Sequence, residues 1–302
     1  MTTLKQIAQS SGSVQSIQSE HWALRALKTL GRAVFYYVPS LVWLLIALVA
    51  VIWLVMSSFK TSREIFAGVW DFPKSFYLGG YIRALAQANM ARYLLNTTML
   101  AVVVVGVLDI IGAMASYVLT RYRFVLARPI LLYFIAGMAI PGLLVVVPLY
   151  LLLAQLHLLD SLVGLGIVYI AVSLPFSVFV LTGFFRTIPS EIADAAVVDG
   201  ASDFGVFWRV AFPLAMPGLV TISIFNFLGV WNEYLLALML ISSPDQTTLP
   251  LGLAALRVQQ QMTGDWTSMF SGIVIAMIPS LIIFLLLQRR LTGGLTTGAL
   301  KG

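Results

Sequence analysis

Between Arg32 and Lys60 the chain carries no formal charge, and the run exceeds the about 20 apolar residues that cross a bilayer as a helix. Further apolar runs follow. Taken with the first, they predict spans near 36–58, 94–119, 130–154, 162–184, 214–240 and 267–288. From Arg128 to Arg186 the only formal charge is Asp160, and that stretch is too long for one crossing. The polar interval 155–161 divides it in two. Pro141, Pro148 and Pro175 should bend the helices that contain them, where neighbours or water can satisfy the freed carbonyls. Residues 60–93 read as a loop with Trp70, Phe72, Tyr77 and Tyr81 at headgroup level. Residues 242–266, with Pro244, Pro250 and Arg257, read as a second loop. The first thirty residues are polar and predict disorder. Within 21–32, Trp22, Leu24 and Leu27 mark a basic helix lying on a membrane surface. A secretory signal fits poorly, because the apolar run starts late and is too long.

Composition agrees with this pattern. The chain has 302 residues, 60% hydrophobic and 10% charged, against about half and about a quarter in soluble domains. The expectation is an all-α integral membrane protein with six transmembrane helices. Net charge is +6. The six spans place twelve of the 18 Lys and Arg residues on one side, and five of the other six fall in the single loop 60–93. The positive-inside rule then puts both termini and the loop 187–213 in the cytoplasm. The basic balance reflects topology, not nucleic-acid binding. There is no cysteine, and His21 and His157 lie too far apart in sequence to suggest a metal site. The expected divisions are a cytoplasmic segment 1–32, a six-span transmembrane domain 33–290 and a cytoplasmic tail 291–302.

The stretch 187–217 is unlike the rest. It carries Glu191, Asp194, Asp199, Asp203 and Arg209 between two apolar runs. Ser190 is a candidate cap for one short helix, with Glu191 and Asp194 in its first turns, where carboxylates suit the helix dipole. Gly200 is the natural left-handed stop. Ser202 can cap a second helix that runs toward Arg209 and ends before Pro213. Ala193, Ala195 and Ala196 permit close approach, while Phe204, Phe207, Trp208 and Phe212 supply apolar area. Such a hairpin either docks onto another protein or lies on lipid headgroups.

Two sites in the spans could carry chemistry. Asp109 sits in the middle of the second span, where a charge costs about 2.5–3.5 kcal/mol on insertion scales. It either borders a polar pathway or hydrogen-bonds a neighbouring helix. The fifth span holds Asn226 and then Trp231-Asn232-Glu233-Tyr234. An aromatic face with amide and carboxylate groups suits a sugar, and the same residues suit an aromatic belt at the interface. No Gly-x-x-x-x-Gly-Lys-Ser/Thr loop is present to cradle ATP phosphates. No Ser–His–Asp set is credible either, so catalysis within the chain is not expected.

Asp194-Ala195-Ala196, Asp199-Gly200-Ala201 and Phe212-Pro213-Leu214 together resemble the EAA loop of binding-protein-dependent ABC importer permeases. Ile188-Pro189 before them and Pro217 after them fit too. Asp194 stands where Glu is usual, and Phe212 where Leu is usual. Trp231-Asn232-Glu233-Tyr234 resembles the signature that follows this loop in sugar permeases. The ending Gly294-Leu295-Thr296-Thr297-Gly298-Ala299-Leu300-Lys301-Gly302 is similar to that of carbohydrate permeases of the maltose type. The resemblance implies a type I ABC importer permease fold with a coupling helix–turn–helix. The implied role is one permease subunit of an ATP-driven sugar importer in a bacterial or archaeal cytoplasmic membrane. Implied partners are a second homologous permease, two ABC ATPase subunits that hold ATP and Mg, and an extracytoplasmic sugar-binding protein. Membrane lipid surrounds the chain, and no cofactor is implied within it. Contact with the ATPases would fall to Glu191, Asp194, Ala195, Ala196, Asp199, Gly200, Ala201, Phe204, Thr296, Thr297, Gly298 and Lys301. The substrate pathway would use Asp109, Asn226, Trp231, Asn232 and Glu233. The alternative is an ion-coupled secondary transporter of a small polar solute, which would more typically carry paired intramembrane charges or an inverted repeat.

Overall fold

The structure, a computed structural model, describes Arg32 and residues 34–299, with side chains up to residue 286. The surface helix expected at 21–32 lies outside the described residues, apart from Arg32, and so does Lys301. The chain divides into two compact units, one through Met56 and the other from Ser57 onward. In the first unit α1 (Val34–Ser58) begins, an apolar helix long enough to span a membrane.

The second unit is helical throughout. It starts with α2 (Ser62–Ala67) and α3 (Gly79–Ile82), the latter running on as a π-turn over Arg83–Gln87. The long helices α4 (Met90–Arg121), α7 (Leu162–Phe185) and α14 (Trp266–Ala299) form its frame. Between α4 and α7 lie α5 (Ala127–Met138) and α6 (Gly142–Gln155). After α7 come α8 (Ser190–Val198) and a run made of α9 (Asp203–Val206), a π-turn and α10 (Phe212–Leu214). Then follow α11 (Met216–Asn232), α12 (Leu235–Leu240) and α13 (Leu249–Thr263). Four of the described helices pass as membrane spans by length and composition, and up to six do if each bent pair is one span.

Packing runs along the α4–α7 contact. Gly112 brings α4 onto Ser177, where an added Cβ would lie 3.3 Å from the serine Cβ, the small-residue approach expected in membranes. One apolar cluster joins Leu100, Val104 and Leu108 of α4 to Leu165, Val168 and Tyr169 of α7. A second, at the α8 end, gathers Tyr117, Leu181, Phe185, Phe207 and Leu219. A third, at the far end, holds Met90, Tyr93, Trp231, Leu249 and Leu256.

The bend expected at Pro141 is sharp: α5 and α6 meet at 101°. Pro141 has no N–H to donate and disfavours helical geometry at the preceding residue. Other expectations need correction. Pro148 and Pro175 sit inside continuous helices. The fifth apolar run breaks after Asn232. The stretch 242–266 is no mere loop, since α13 occupies most of it with Pro250 in its first turn. Residues 291–299 continue α14.

The loop 60–88 is more tightly built than its polarity suggests. Thr61 and Glu64 form a capping box on α2. The Lys60 amine, counted above among the basic residues of the loop, is buried and donates to the carbonyls of Gly68 and Val69, each at 3.2 Å. Arg83 grips Asp265 with paired bonds of 2.7 and 3.0 Å, which ties this loop to the start of α14.

At the same end Asp160 is the clasp between two turns. Its Oδ1 accepts from the amides of Ser242 (2.9 Å) and Ser243 (2.8 Å), and its Oδ2 from the Ser243 hydroxyl. The hydroxyl and amide of Ser243, with the amide of Ser242, hold this carboxyl below the usual carboxylate range. A depressed folded-state pKa stabilises the fold above the unfolded value of about 3.9, and the contribution is lost as pH falls through the folded value. Asp160→Asn should therefore flatten the acid limb of the stability profile. Unfolding midpoints taken from about pH 6 to about pH 3 check this, and an unchanged acid limb would remove Asp160 from the account.

Candidate functional site

The site builds from two short helices that stand at one end of the bundle. Pro189, not Ser190, is the N-cap of α8, so its first turn lacks a side-chain cap. A proline suits the entrance because its fixed φ leads into a helix. The helix stops as expected. Asp199 is the C-cap and Gly200 follows at φ +86. The Gly200 amide donates to Val197 O and the Ala201 amide to Ala196 O, both at 3.0 Å. That pair of bonds is a Schellman closure, which requires the left-handed residue. Ser202 caps the next helix by accepting from the Gly205 amide at 3.2 Å. This second run does not end before Pro213. It continues through Leu214, and α11 departs from it at 72°.

The hairpin has two faces. Ala193, Val206, Phe207 and Ala211 are buried against the bundle. Phe207 packs on Tyr117 with centroids 5.4 Å apart, and Tyr117 lies 5.8 Å from Phe185. Those contacts join the hairpin to the ends of α4 and α7. The other face is open: Val198 is 86% exposed and Phe204 66%, while Glu191, Asp194, Ala195, Asp199 and Gly200 are exposed beside them. Ala196 and Ala201 are half-buried.

Asp194 has a partner that spacing along the chain could not reveal. Its Oδ1 meets the guanidinium of Arg121, the last residue of α4. The pair is partly solvated, with Arg121 at 23% and Asp194 at 59% side-chain exposure, so it orients α8 more than it stabilises the fold. Beneath α8 lies a cavity of about 440 Å³, whose lining includes Tyr117, Arg121, Arg186, Glu191 and Ala211.

The candidate pathway residues are spread along the spans. Asp109 of α4 accepts from the Ser223 hydroxyl of α11 at 2.7 Å, while its Oδ1 is buried without a partner. Asn226 is buried and donates to Ser177 Oγ at 2.9 Å. Trp231 is 3% exposed, stacks on Phe227 at 5.2 Å and donates its indole N–H to Ala276 O. Its ring face is closed to a sugar within this chain. Asn232 is exposed, with its amide turned back to Leu228 O at 2.8 Å. Glu233 accepts from Tyr169 OH at 2.6 Å. Thr296, Thr297 and Gly298 belong to the backbone of α14, and their side chains lie outside the described ones.

Among the described residues no group of three or more His, Asp or Glu side chains could hold a metal ion. Comparison with known proteins places the chain. Residues 110–296 match the family described as binding-protein-dependent transport system inner membrane component. The diacetylchitobiose uptake system permease protein NgcG of Streptomyces coelicolor is 36% identical, over 86% of each chain. The sulfoquinovosyl glycerol transport system permease protein SmoH of Agrobacterium fabrum is 31% identical, over 88% of this chain and 93% of its own. A chain from the crystal structure of a bacterial ABC transporter involved in import of the acidic polysaccharide alginate superposes with TM-score 0.74. It covers 85% of this chain and 96% of its own at 23% identity, and so speaks to the fold alone. The ion-coupled alternative falls away: this chain is a membrane transport subunit and belongs to the family of binding-protein-dependent transport system inner membrane components.

Proposed function

We propose that this chain is one of two related permease subunits of an ATP-driven sugar importer. It forms half of the translocation route and receives movement from a separate ATPase through the loop 187–213. The carrying observation is the two-faced hairpin α8–α9, anchored to α4 and α7 on one side and open on the other, where Val198 and Phe204 stand out among the carboxylates Glu191, Asp194 and Asp199. An open patch with Val198 and Phe204 at its crest calls for a partner surface. A Schellman closure and the Arg121–Asp194 pair give it a fixed shape. When ATP draws two ATPase subunits together, a hairpin so anchored carries α4 and α7 with it as a body, the rigid-body class of transition.

In this reading both termini and the hairpin face the cytoplasm of a prokaryotic cell, and an extracytoplasmic binding protein delivers cargo at the Asp160 end. Glu191, Asp194, Ala195, Ala196, Asp199, Gly200, Ala201 and Phe204 meet the ATPase. Thr296, Thr297, Gly298 and Lys301 are the further residues assigned to that contact. ATP and Mg belong to the ATPase subunits. Asn232 faces the route, with Asp109, Asn226 and Trp231 shaping it from behind. The cargo is a carbohydrate or glycoside, by analogy with the relatives named for diacetylchitobiose and sulfoquinovosyl glycerol.

The test is reconstitution with the partner permease, ATPase and binding protein in sealed vesicles. Sugar uptake should require ATP and the binding protein and should survive collapse of ion gradients. Uptake that proceeds without the ATPase would overturn the reading.

A further inference from the structure

A break inside a membrane helix strands amides and carbonyls where little water can reach them. The break between α11 and α12 is such a place. Glu233 leaves helical geometry at φ −69, ψ 125, and α12 begins two residues later. Its carboxylate then answers the stranded amides itself. Oε1 accepts from the Leu236 amide at 2.7 Å, and Oε2 from the Ala237 amide at 3.1 Å. Oε2 also accepts a hydrogen bond from the hydroxyl of Tyr169, which is buried in α7. Both oxygens are therefore engaged within the protein.

The neighbours of Glu233 serve the same joint. Trp231 is fixed to α14 through Ala276 O at 3.1 Å, which sets the rotation of the last turn of α11. The side-chain amide of Asn232 folds back on that turn. At the far end of α12 the Leu240 carbonyl accepts from the Asp160 amide at 2.8 Å. Between these ends, Ala237 and Leu240 are buried in the main apolar cluster. The short helix is clamped at both ends and packed in its middle. Trp-Asn-Glu, a string that suits a sugar by composition, is here the hardware of a helix break.

We propose that Glu233 and Tyr169 are positioning residues: together they build a fixed joint in the fifth apolar run and hold α12 against α7, and the Glu233 carboxylate does not meet the cargo. Glutamine at 233 keeps an oxygen for the Leu236 amide and can donate its NH2 to the Tyr169 hydroxyl, but leaves the Ala237 amide facing a donor, whereas alanine strands both amides. Tyr169→Phe removes one donor and leaves the cap.

The test uses the full importer complex in vesicles. Glu233→Gln should leave the half-saturating sugar concentration unchanged and lower the maximal rate about threefold, because one of the two amide acceptors survives. Glu233→Ala should lower the maximal rate about tenfold at the same half-saturation, the cost of leaving buried amides unanswered. Tyr169→Phe should lower it by about threefold and add little on top of Glu233→Ala, as coupled neighbours do. A second readout does not depend on transport. The chain has no native cysteine, so spin labels at Phe225 and Leu238, both exposed and on opposite sides of the break, report its geometry directly. One narrow distance population is expected in the unaltered chain, a wider one in Glu233→Gln and the broadest in Glu233→Ala. The uptake measurements rest on the import function proposed above; the distance measurement does not, so failure of one is separable from failure of the other. If Glu233→Gln raised the half-saturating sugar concentration about tenfold, a typical loss for a charged hydrogen bond, the carboxylate would belong to the cargo site. A distance distribution unmoved by Glu233→Ala would show that the joint stands without its cap. If the alanine variant does not insert, Glu233→Gln and Tyr169→Phe still decide.

Discussion

Replacing Gly200 with valine is expected to cut ATP-driven uptake about tenfold or more, with insertion and yield nearly unchanged; left-handed geometry costs a residue with a Cβ about 1–2 kcal/mol, and more with a branched one. Gly200 sits at φ +86, and an added Cβ there would have nothing within 4 Å. The penalty is therefore conformational and not a clash with the rest of this chain. The strain can relax only by leaving the left-handed region, which gives up the bonds from Gly200 N to Val197 O and from Ala201 N to Ala196 O. Helix α8 would then swing relative to α9 and carry Asp194 away from Arg121. Gly200→Asn separates this cause from bulk, because asparagine visits left-handed geometry readily. It should keep most of the activity despite its larger side chain. Uptake and ATPase co-purification measured on the two variants decide the matter. Full uptake with valine would mean that the shape of the hairpin is not what couples.

The outcome at Gly200 was legible from residue types alone, and so was the Ser202 cap. Both signals are local: a glycine after a helical run and a hydroxyl before the next. The apolar runs were legible because charges bound them. What escaped has a common physical character. Asp194 is joined to Arg121 across distant parts of the chain, and no local pattern carries that; at Asp109 the hydrogen bond to a neighbouring helix was one of the two readings, and only its partner, Ser223, was out of reach. Lys60 looked like an ordinary loop charge, yet two backbone carbonyls satisfy its buried amine. Pro141 stands at the break in its run whereas Pro148 and Pro175 lie inside continuous helices, a difference that the proline residues by themselves do not announce. Helix α13 did leave a readable trace. Leu249, Gly252, Leu256 and Gln260 are its buried residues at helical spacing, and Pro250 sits where a helix tolerates proline. The glutamines around Gln260 hid that face. The Trp231-Asn232-Glu233 string was singled out by chemistry that suits sugar. Two of its three side chains turned out to be locked into the protein, a distinction that needs the positions of Ala276 and Tyr169.

The other large effect is expected at Gly164, where alanine should destabilise the folded chain by about 3 kcal/mol, the upper range for overpacking a rigid site. Gly164 lies in the first turn of α7. A Cβ there would stand 2.1 Å from the carbonyl oxygen of Leu158 and 3.2 Å from a Leu153 methyl. Such a contact forces something to move, and the obstacle is backbone. The turn that carries Leu158 has little freedom to retreat. Its Leu158 amide donates to Leu153 O at 2.9 Å, and the Asp160 amide donates to Leu240 O at 2.8 Å. His157 and Asp160 already hold positive φ, at 56 and 53. Gln246 Oε1 takes the amide of Leu162 at 3.2 Å. Moving the turn would thus loosen the Asp160 clasp and the far end of α12 together. Gly183, on the same helix, is the internal control: an added Cβ there meets nothing within 4 Å, and alanine in a helix is favoured over glycine by about 1 kcal/mol. Thermal unfolding in one detergent should show Gly164→Ala well below the unaltered chain and Gly183→Ala at or above it. Equal midpoints for the two variants would mean that the 156–161 turn yields freely, and the clamp on α12 would then lose its outer anchor.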